Sequence, residues 1–410
     1  MSDKKRNVPV LRFNGFSDAW EQRKLGELGK VTTGKAFSSI DFDEQGEYLV
    51  ITNKDISISS RSQNVVTDRI NVSDKNIIEK YNLNGENILV TMDGVNLGKT
   101  AMYSNENALL AQRVGRIQST QLEFVYQITS SNNFFMTMRT LSVGNAIKHI
   151  SLSQISNYST LVPNNEAEQQ KIGELFKHLD NTIALHQRKL DTLKQMKNGF
   201  LQQLFPENGE KLPRVRFTGF EGEWEQRKLL GLSNKTYGGG TPRTTVEEYW
   251  QGDIPWIQSS DLYTNKLFDV TPKKYISNFA LKESSTKLVP ANSIAIVTRV
   301  GVGKLAFMPF EYATSQDFLS FSNLNIDSIF AMYSLYNMLQ KELNSIQGTS
   351  IKGITKTELL EKKIVVPKSV REQQKIGIIF KQLDDMIYLH QNKLDKLNIL
   401  KSTYLKNMFI

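Results

Sequence analysis

The chain has 410 residues, no cysteine and a formal net charge of +9 at pH 7. This length accommodates two domains and a further segment, since a domain typically holds about 100–200 residues. The absence of cysteine excludes disulfides and thiolate sites, and no apolar run approaches the roughly 20 residues of a membrane span. The charged N-terminus does not resemble a signal peptide. We therefore expect a soluble, cytoplasmic protein with no membrane partner.

The positive net charge favours a polyanionic partner, above all a nucleic acid. The alternative is a basic surface that only keeps the protein soluble. Charge alone does not decide between these two interpretations, and the arrangement of the chain is needed to do so.

The sequence contains an internal repeat whose two copies are offset by 204 residues. Arg-Phe-x-Gly-Phe and then Trp-Glu-Gln-Arg-Lys-Leu open each copy, at residues 12–25 and 216–229. Glu-Gln-Gln-Lys-Ile-Gly returns later in each copy, at 168–173 and 372–377. Between these motifs the copies diverge, and the period far exceeds the roughly 20–50 residues of a solenoid unit. The repeat predicts a duplicated domain with its connector. The two copies would form a common scaffold that presents two different recognition surfaces.

Two variable domains of the α+β class are predicted, at residues 1–163 and 210–367. Short apolar runs bounded by turn residues indicate strands, and longer helical patterns follow them. The predicted strands are 48–51, 87–91, 254–257 and 293–297, and the predicted helices lie around 121–141 and 325–346.

The connectors, at residues 164–209 and 368–410, have a different pattern. Their apolar positions step alternately by four and three residues, a period typical of a two-helix coiled-coil seam. Each helix is expected to begin after Pro163 or Pro367, and the first to end before Pro206. The predicted seam residues are Ile172, Phe176, Leu179, Ile183, His186, Leu190, Leu193 and Phe200 in the first helix, and Ile376, Phe380, Leu383, Ile387, His390, Leu394, Leu397 and Tyr404 in the second.

The connectivity predicts an antiparallel helix pair. The first helix leaves domain one and reaches domain two, so the second must run back along it in order to pack against it. A helix of about 40 residues is roughly 60 Å long at 1.5 Å per residue. We expect the α+β domains to be separated by this long coiled coil, with an internal pseudo-two-fold symmetry.

Two variable domains, two similar long helices and a cyclic repeat resemble the specificity subunit of type I restriction–modification enzymes. The resemblance covers the whole chain and rests on the paired opening motifs and on the Val-Pro…Glu-Gln-Gln-Lys-Ile-Gly helix entries at 162–173 and 366–377. The Gly-x-x-Ile-Lys stretches at 144–148 and 348–352 also resemble that family. The motifs occur in pairs, in order and at one offset, which makes the match specific.

The resemblance implies a non-catalytic reader of double-stranded DNA. Each variable domain would be a target-recognition domain for one half of a bipartite site. The helices would set the spacer and hold two modification (methyltransferase) subunits, and two restriction (translocase–nuclease) subunits would complete the enzyme. S-adenosylmethionine, ATP and magnesium would belong to those partners, with no cofactor bound by this chain.

Residues 93–100 resemble a phosphate-binding loop, but only three residues separate Gly94 from Gly98 where that motif needs four. The second copy, at 299–305, lacks the hydroxyl that would bind magnesium. A β-turn with a basic tip that touches DNA is the favoured interpretation of both segments. A structural role is favoured for Trp20 and Trp224, as anchors of each domain on the helices, and base stacking is the alternative.

Residues that differ between the copies are the candidates for DNA contact, because each domain would read a different half-site. Arg and Lys suit guanine edges or phosphates, whereas Asn and Gln suit adenine. A solvated surface residue is the alternative for each of them. The candidates are Lys35, Asn53, Lys54, Asp55, Asn96, Lys99, Gln112 and Arg113 in domain one and Arg243, Gln258, Ser259, Ser260, Asp261, Arg299, Lys304 and Gln316 in domain two, with Lys148 and Lys352 as phosphate anchors shared by both.

Two other functions are considered, a fused DNA methyltransferase and a coiled-coil scaffold that does not bind DNA. The first lacks the Asn/Asp-Pro-Pro-aromatic motif of adenine methylation, and the four histidines have no metal-ligand spacing. The second explains the helices but neither the two unlike domains nor the basic charge.

Overall fold

The computed structural model forms two compact units, Met1–Arg188 with Gln391–Ile410 and Lys189–His390. Each unit contains one α+β domain, part of the first long helix and part of the second. The residues that the structure describes are 7–56, 67–144, 148–207, 209–345 and 353–410.

In the first domain, the main sheet has the strand order β2-β7-β5-β6-β3-β4. Strand β3 runs parallel to β6 and the other neighbours are antiparallel. The elements, through the first long helix, are β1 (Glu21–Lys24), α1 (Leu25–Leu28), β2 (Lys30–Thr33), β3 (Tyr48–Ile51), β4 (Arg69–Ile70), α2 (Lys75–Tyr81), β5 (Asn82–Thr91), β6 (Thr100–Leu110), β7 (Val114–Gln118), α3 (Leu122–Thr129), α4 (Asn132–Leu141), α5 (Leu152–Ser156), β8 (Ser159–Val162) and α6 (Glu166–Gln203).

The second domain has a similar order of elements, with one helix, α8, where the first domain has α3 and α4. Its elements, through the second long helix, are β9 (Glu225–Lys228), β10 (Ser233–Gly238), β11 (Ile254–Ile257), β12 (Lys274–Ile276), α7 (Asn278–Glu283), β13 (Ser293–Val297), β14 (Leu305–Met308), β15 (Ala313–Thr314), β16 (Phe318–Leu324), α8 (Ser328–Ser345), α9 (Lys356–Glu361), β17 (Lys363–Val366) and α10 (Val370–Met408).

The two domains share one strand order, although the second domain divides it between two sheets, β10-β16-β13-β14 and β12-β11-β15. In the first domain, β6 is continuous and pairs with both β5 and β3. The equivalent stretch of the second domain is split into β14, which pairs with β13, and β15, which pairs with β11. Pro309 lies between these two strands. Because proline has no N–H to donate to a ladder, it ends the pairing there.

The α+β class and the four predicted strands are confirmed, since β3, β11 and β13 have the predicted limits and β5 ends at the predicted residue. The predicted helical stretches around 121–141 and 325–346 are confirmed, and the first of them is divided into two helices, α3 and α4. The hydroxyl of Ser131 accepts a hydrogen bond from the backbone N–H of Phe134 at 3.1 Å. This side-chain cap starts a new helix, which periodicity alone does not reveal.

The long helices begin where the sequence predicts, a few residues after Pro163 and Pro367. The side-chain amide of Gln169 donates to the carbonyl of Pro163 at 2.8 Å, and Gln373 donates to Pro367 at the same distance. These bonds fix the first turn of each helix to the proline that precedes it, and they explain the first glutamine of the shared Gln-Gln in the two helix entries.

Within each unit the two long helices run antiparallel. In the first unit Ile172 and Phe176 near the start of α6 pack with Met408 at the end of α10. In the second unit Leu201 packs in one cluster with Phe380. All of the predicted seam residues are buried or half-buried. No helix in the described part of the chain is long and apolar enough to cross a membrane.

Candidate nucleic-acid interface

A frame of identical contacts holds each domain on its helices. The guanidinium of Arg12 makes two hydrogen bonds to the buried carboxylate of Glu168, at 2.7 and 2.8 Å. In the second unit Arg216 makes the same pair of bonds to Glu372, at 2.7 and 2.9 Å. The hydrogen bond to the carboxylate raises the pKa of Arg12 and of Arg216. The repeated Arg-Phe-x-Gly-Phe motif is therefore a clamp between the domain and the long helix.

The repeated tryptophan is a core residue. Trp20 is 2% exposed and lies edge-on to Phe409, which in turn stacks on Phe124 with ring centroids 5.7 Å apart. The predicted anchor role of Trp20 and Trp224 is confirmed by this burial, which leaves neither indole ring free to stack on a base. The corresponding residues of the second unit are Trp224, Phe205 and Phe330.

Six of the eight candidate residues that are specific to the first domain converge on one cleft of about 530 Å³, whereas Asp55 and Lys99 lie outside its lining. The cleft lies where the ends of β3 and β5 meet the turn between β6 and β7. The sequence had placed these residues at four separated sites along the chain. The predicted residues that line the cleft are Lys35, Asn53, Lys54, Asn96, Gln112 and Arg113.

Asp93 organises the mouth of this cleft, and the sequence analysis did not select it as a DNA contact. Its carboxylate accepts hydrogen bonds from the side-chain amide of Asn53 and, at 2.9 Å, from the guanidinium of Arg113. An ionised carboxylate only accepts, so the NH₂ group of Asn53 must face it. Within the described part of the chain, the carbonyl oxygen of Asn53 is then a buried acceptor with no hydrogen-bond partner.

The segments that resemble a phosphate-binding loop are hairpin turns, as predicted. The first joins β5 to β6, and its Lys99 ammonium donates to the side-chain oxygen of Asn96 at 2.7 Å. The second joins β13 to β14, and its Lys304 ammonium donates to the backbone carbonyl of Ser259 at 3.2 Å. Each tip carries an exposed valine, Val95 or Val300.

A short capped turn follows the equivalent strand in both domains. The carboxylate of Asp55 accepts from the backbone N–H and the hydroxyl of Thr52, both at 2.8 Å. The carboxylate of Asp261 accepts from the backbone N–H of Gln258 at 3.0 Å, and its side chain is 0% exposed. The prediction that Asp261 contacts DNA is corrected, because its carboxylate is enclosed as a cap of this turn.

In the second domain Arg299 and Gln316 line a second cleft, of about 430 Å³. Gln316 is also bonded to Thr241, whose hydroxyl donates to its side-chain oxygen at 2.5 Å. Arg299 lies 4.0 Å from the carboxylate of Asp317, a residue that the sequence analysis missed. The other predicted residues of this domain lie outside the cleft lining: Arg243, Gln258, Ser259, Ser260 and Lys304.

Lys148 is exposed, which leaves its ammonium accessible to a phosphate. Lys352 lies outside the described residues. In the described part of the chain, no group of three or more His, Cys, Asp or Glu residues could hold a metal ion.

A common frame that presents two unlike clefts agrees with the comparison to known proteins. The family model of the type I restriction modification DNA specificity domain matches residues 17–195 and, a second time, residues 221–398. The chain belongs to this family. Each matched region includes the repeated tryptophan, the glutamate that the clamp arginine contacts and the cleft of its own unit.

Individual relatives carry the same description. The type I restriction enzyme MjaIX specificity subunit of Methanocaldococcus jannaschii is 32% identical over 200 residues, 46% of this chain and 44% of that protein. The type I restriction enzyme EcoR124I/EcoR124II specificity subunit of Escherichia coli is 32% identical over 252 residues, 57% of this chain and 58% of that protein. The matched regions thus span about half the length of these relatives.

The fold is shared with a solved specificity subunit. The crystal structure of a type I restriction–modification system S subunit from M. genitalium has a TM-score of 0.65 to this chain at 16% sequence identity. The superposition covers 98% of this chain and 99% of that one. The two chains thus have the same fold despite their low identity.

Proposed function

We propose that this chain is the DNA sequence-specificity subunit of a type I restriction–modification complex. Each α+β domain binds one half of a bipartite site in double-stranded DNA through its cleft. The long helices set the spacer between the half-sites and dock two methyltransferase subunits, and two translocase–nuclease subunits complete the assembly in the cytoplasm. The chain itself is non-catalytic, and S-adenosylmethionine, ATP and magnesium are bound by its partners.

One observation carries this proposal, namely that the frame contacts are repeated pair for pair whereas the clefts differ. Arg12–Glu168 and Arg216–Glu372 have the same geometry to within 0.1 Å in each bond. The first cleft gathers Asn53, Asn96 and Lys35, and the second contains Thr298 and Gln316 instead. A protein that needs two different sequence readers at one common support would have this pattern. A scaffold without DNA contacts would have no reason for it.

The chemistry of the first cleft is suited to base edges in the major groove. Its lining offers amide groups, which pair with adenine, and guanidinium and ammonium groups, which pair with guanine or phosphate. The net charge of +9 adds non-specific attraction to the DNA backbone.

Domain exchange tests the proposal directly. Residues 210–367 are replaced by the equivalent domain of another member of the family, and the chimera is expressed with its modification subunits. Sequencing of the methylated adenines should reveal one altered half-site and one unchanged half-site. A change in both half-sites, or in neither, would contradict the assignment of one half-site to each domain.

The non-catalytic role has its own test. The purified chain alone is incubated with S-adenosylmethionine and genomic DNA, with the complete modification complex as the positive control. Transfer of methyl groups by the chain alone would contradict the proposal and favour a fused methyltransferase.

A further inference from the structure

An ion pair at the mouth of the first cleft has a half-buried acid and an exposed base. The side chain of Asp93 is 13% exposed, whereas that of Arg113 is 61% exposed, and the two are bonded at 2.9 Å. The carboxylate therefore lies in the protein and directs the guanidinium outward. Asp93 also holds Asn53, so one acid positions two polar side chains of the cleft.

The second domain has an acid and an arginine at the same two positions with the charges exchanged, and their nearest charged atoms are 4.0 Å apart, at the limit of an ion pair. Arg299 occupies the position of Asp93, two residues after the end of the corresponding strand, and Asp317 occupies the position of Arg113, one residue before the next strand of the sheet. The backbone confirms this equivalence. The N–H of Met92 donates to the carbonyl of Arg113 at 3.0 Å, and that of Thr298 donates to the carbonyl of Asp317 at 2.7 Å.

In both pairs the exposed residue is the arginine, although the arginine occupies a different chain position in each domain. Arg299 is 63% exposed and Asp317 is 19% exposed. In both domains the acid is inside and the guanidinium faces solvent, although it extends from the β6–β7 turn in one domain and from the β13–β14 hairpin in the other. Exposed ion pairs contribute little to folding stability, so stability alone does not explain why both pairs have the acid inside and the arginine outside.

The backbone of Arg113 is strained in a way that supports a functional role. Its φ is 66°, in the left-handed region that non-glycine residues rarely adopt. The neighbouring Gln112 N–H donates to the carbonyl of Lys35 at 2.8 Å, which helps to hold the turn. Residues in such conformations persist where the surrounding contacts over-determine them, often at ligand-binding sites.

We propose that Arg113 and Arg299 each recognise a guanine in the half-site of their own domain, and that Asp93 and Asp317 are positioning residues for them. This inference rests on the proposed function. The carboxylate occupies one side of the guanidinium, and the remaining N–H donors lie in a fixed plane that matches the O6 and N7 acceptors of guanine. Because Asp93 holds Arg113 by a hydrogen bond before binding, less conformational entropy is lost on contact.

The test uses the chain assembled with its modification subunits and a duplex of about 40 base pairs that carries the target found by methylome sequencing. A panel of duplexes, each with one base pair of a half-site replaced, is titrated by fluorescence anisotropy. Arg113→Ala should weaken cognate binding about 5- to 150-fold, the loss of one bidentate base contact. It should also abolish discrimination at a single G·C pair of the first half-site.

Asp93→Asn separates positioning from charge. It leaves the arginine in place and removes one negative charge, so affinity for a scrambled duplex should stay equal or rise. Discrimination at the same G·C pair should nevertheless fall about tenfold, because a neutral amide oxygen holds the guanidinium less strongly than the carboxylate does. Arg113→Lys should behave in the same way, since an ammonium does not form the bidentate contact.

Arg23→Ala is the matched control. Arg23 is also an exposed arginine paired with acids, Glu21 and Glu27, but it lies in the frame outside the cleft. It should change no position-specific preference. In every variant the unchanged preferences at the second half-site serve as proof that the assembly is folded.

Three results would overturn the inference. These are a first half-site without a G·C pair, an Arg113→Ala variant with full discrimination at every position, and a loss spread equally over all positions. The last would make Arg113 a phosphate contact. A wild-type complex that binds cognate and scrambled duplexes equally would instead contradict the proposed function itself.

Discussion

The ammonium of Lys197 lies 2.5 Å from a carboxylate oxygen of Asp384, and the hydroxyl of Tyr333 donates to the other carboxylate oxygen at 2.7 Å. The Lys197 and Asp384 side chains are 8% and 16% exposed. Lys401 and Asp180 form the equivalent pair in the first unit, at 2.6 Å. The lysine at an otherwise apolar seam position is thus matched with an acid on the other helix, and the pair defines the register of the helices within each unit.

Replacing one member of this ion pair should lower the free energy of unfolding more than replacing both members. Lys197→Met leaves Asp384 buried with only the Tyr333 donor, and we expect a loss of about 3 kcal/mol in the free energy of unfolding of the second unit. The double variant Lys197→Met/Asp384→Leu should recover most of that loss. Hydrogen exchange of the α10 amides measures the stability loss in the single variant and its recovery in the double variant. Equal destabilisation by the single and the double variant would show that the charge pair is not the cause.

Gly173 and Gly199 lie on the same helix, and substitution of each by alanine should change the stability of the protein in opposite directions. A Cβ at Gly173 would lie 2.8 Å from the backbone nitrogen of Phe124, whereas a Cβ at Gly199 would meet no atom within 4 Å. Gly199→Ala should stabilise the protein by about 0.5–1 kcal/mol through helix propensity. Gly173→Ala should destabilise it, because α3 must move away from α6. Thermal unfolding of the two variants decides, and a stabilising Gly173→Ala would refute the close approach.

Arg12→Lys should destabilise the first unit although it conserves the charge. The ammonium cannot make the two parallel hydrogen bonds that the guanidinium gives to Glu168, so we expect a loss of about 1–3 kcal/mol. Arg23→Lys is the control, since its partners are exposed and the change should stay within about 0.5 kcal/mol. Chemical denaturation compares them. Equal losses of stability in the two variants would contradict the conclusion that the two parallel hydrogen bonds of the clamp stabilise the first unit.

Alkaline pH should weaken the second unit through Tyr312. Burial raises the pKa of Tyr312 to about 12 from its ordinary value of 10.0, while Ser293 donates to its hydroxyl and Ser320 accepts from it. Between these two pH values the unfolded state binds fewer protons than the native state, so stability falls as pH rises, by roughly 2–3 kcal/mol in total.

Tyr312→Phe removes this titration and provides the control. The variant should be less stable than the wild type near neutral pH because it loses two hydrogen bonds, and the difference should narrow from pH 10 to pH 12. Hydrogen exchange of β13 and β16 follows the transition. A difference that stays constant over this range would contradict the buried neutral phenol.

The sequence alone determined the features that depend on local order along the chain. The duplicated frame, the strands Tyr48–Ile51 and Ile254–Ile257 and the starts of the long helices after Pro163 and Pro367 all follow from patterns within a few residues. Periodicity and turn residues carry this information because strand and helix geometry repeat over two to four residues. The helical stretch around 121–141 was predicted but its division into α3 and α4 was not, since a single side-chain cap at Ser131 creates the gap.

Only the tertiary structure decided which distant residues form a site. Asp93 and Arg113 are 20 residues apart, and they meet because β5 and β7 are neighbours in the sheet. Lys197 and Asp384 are 187 residues apart and meet through helix packing. Strand order and helix register depend on the whole buried surface of a domain, which no local pattern contains. For that reason the exchange of charges between the two clefts could be recognised only after both domains had been compared in three dimensions.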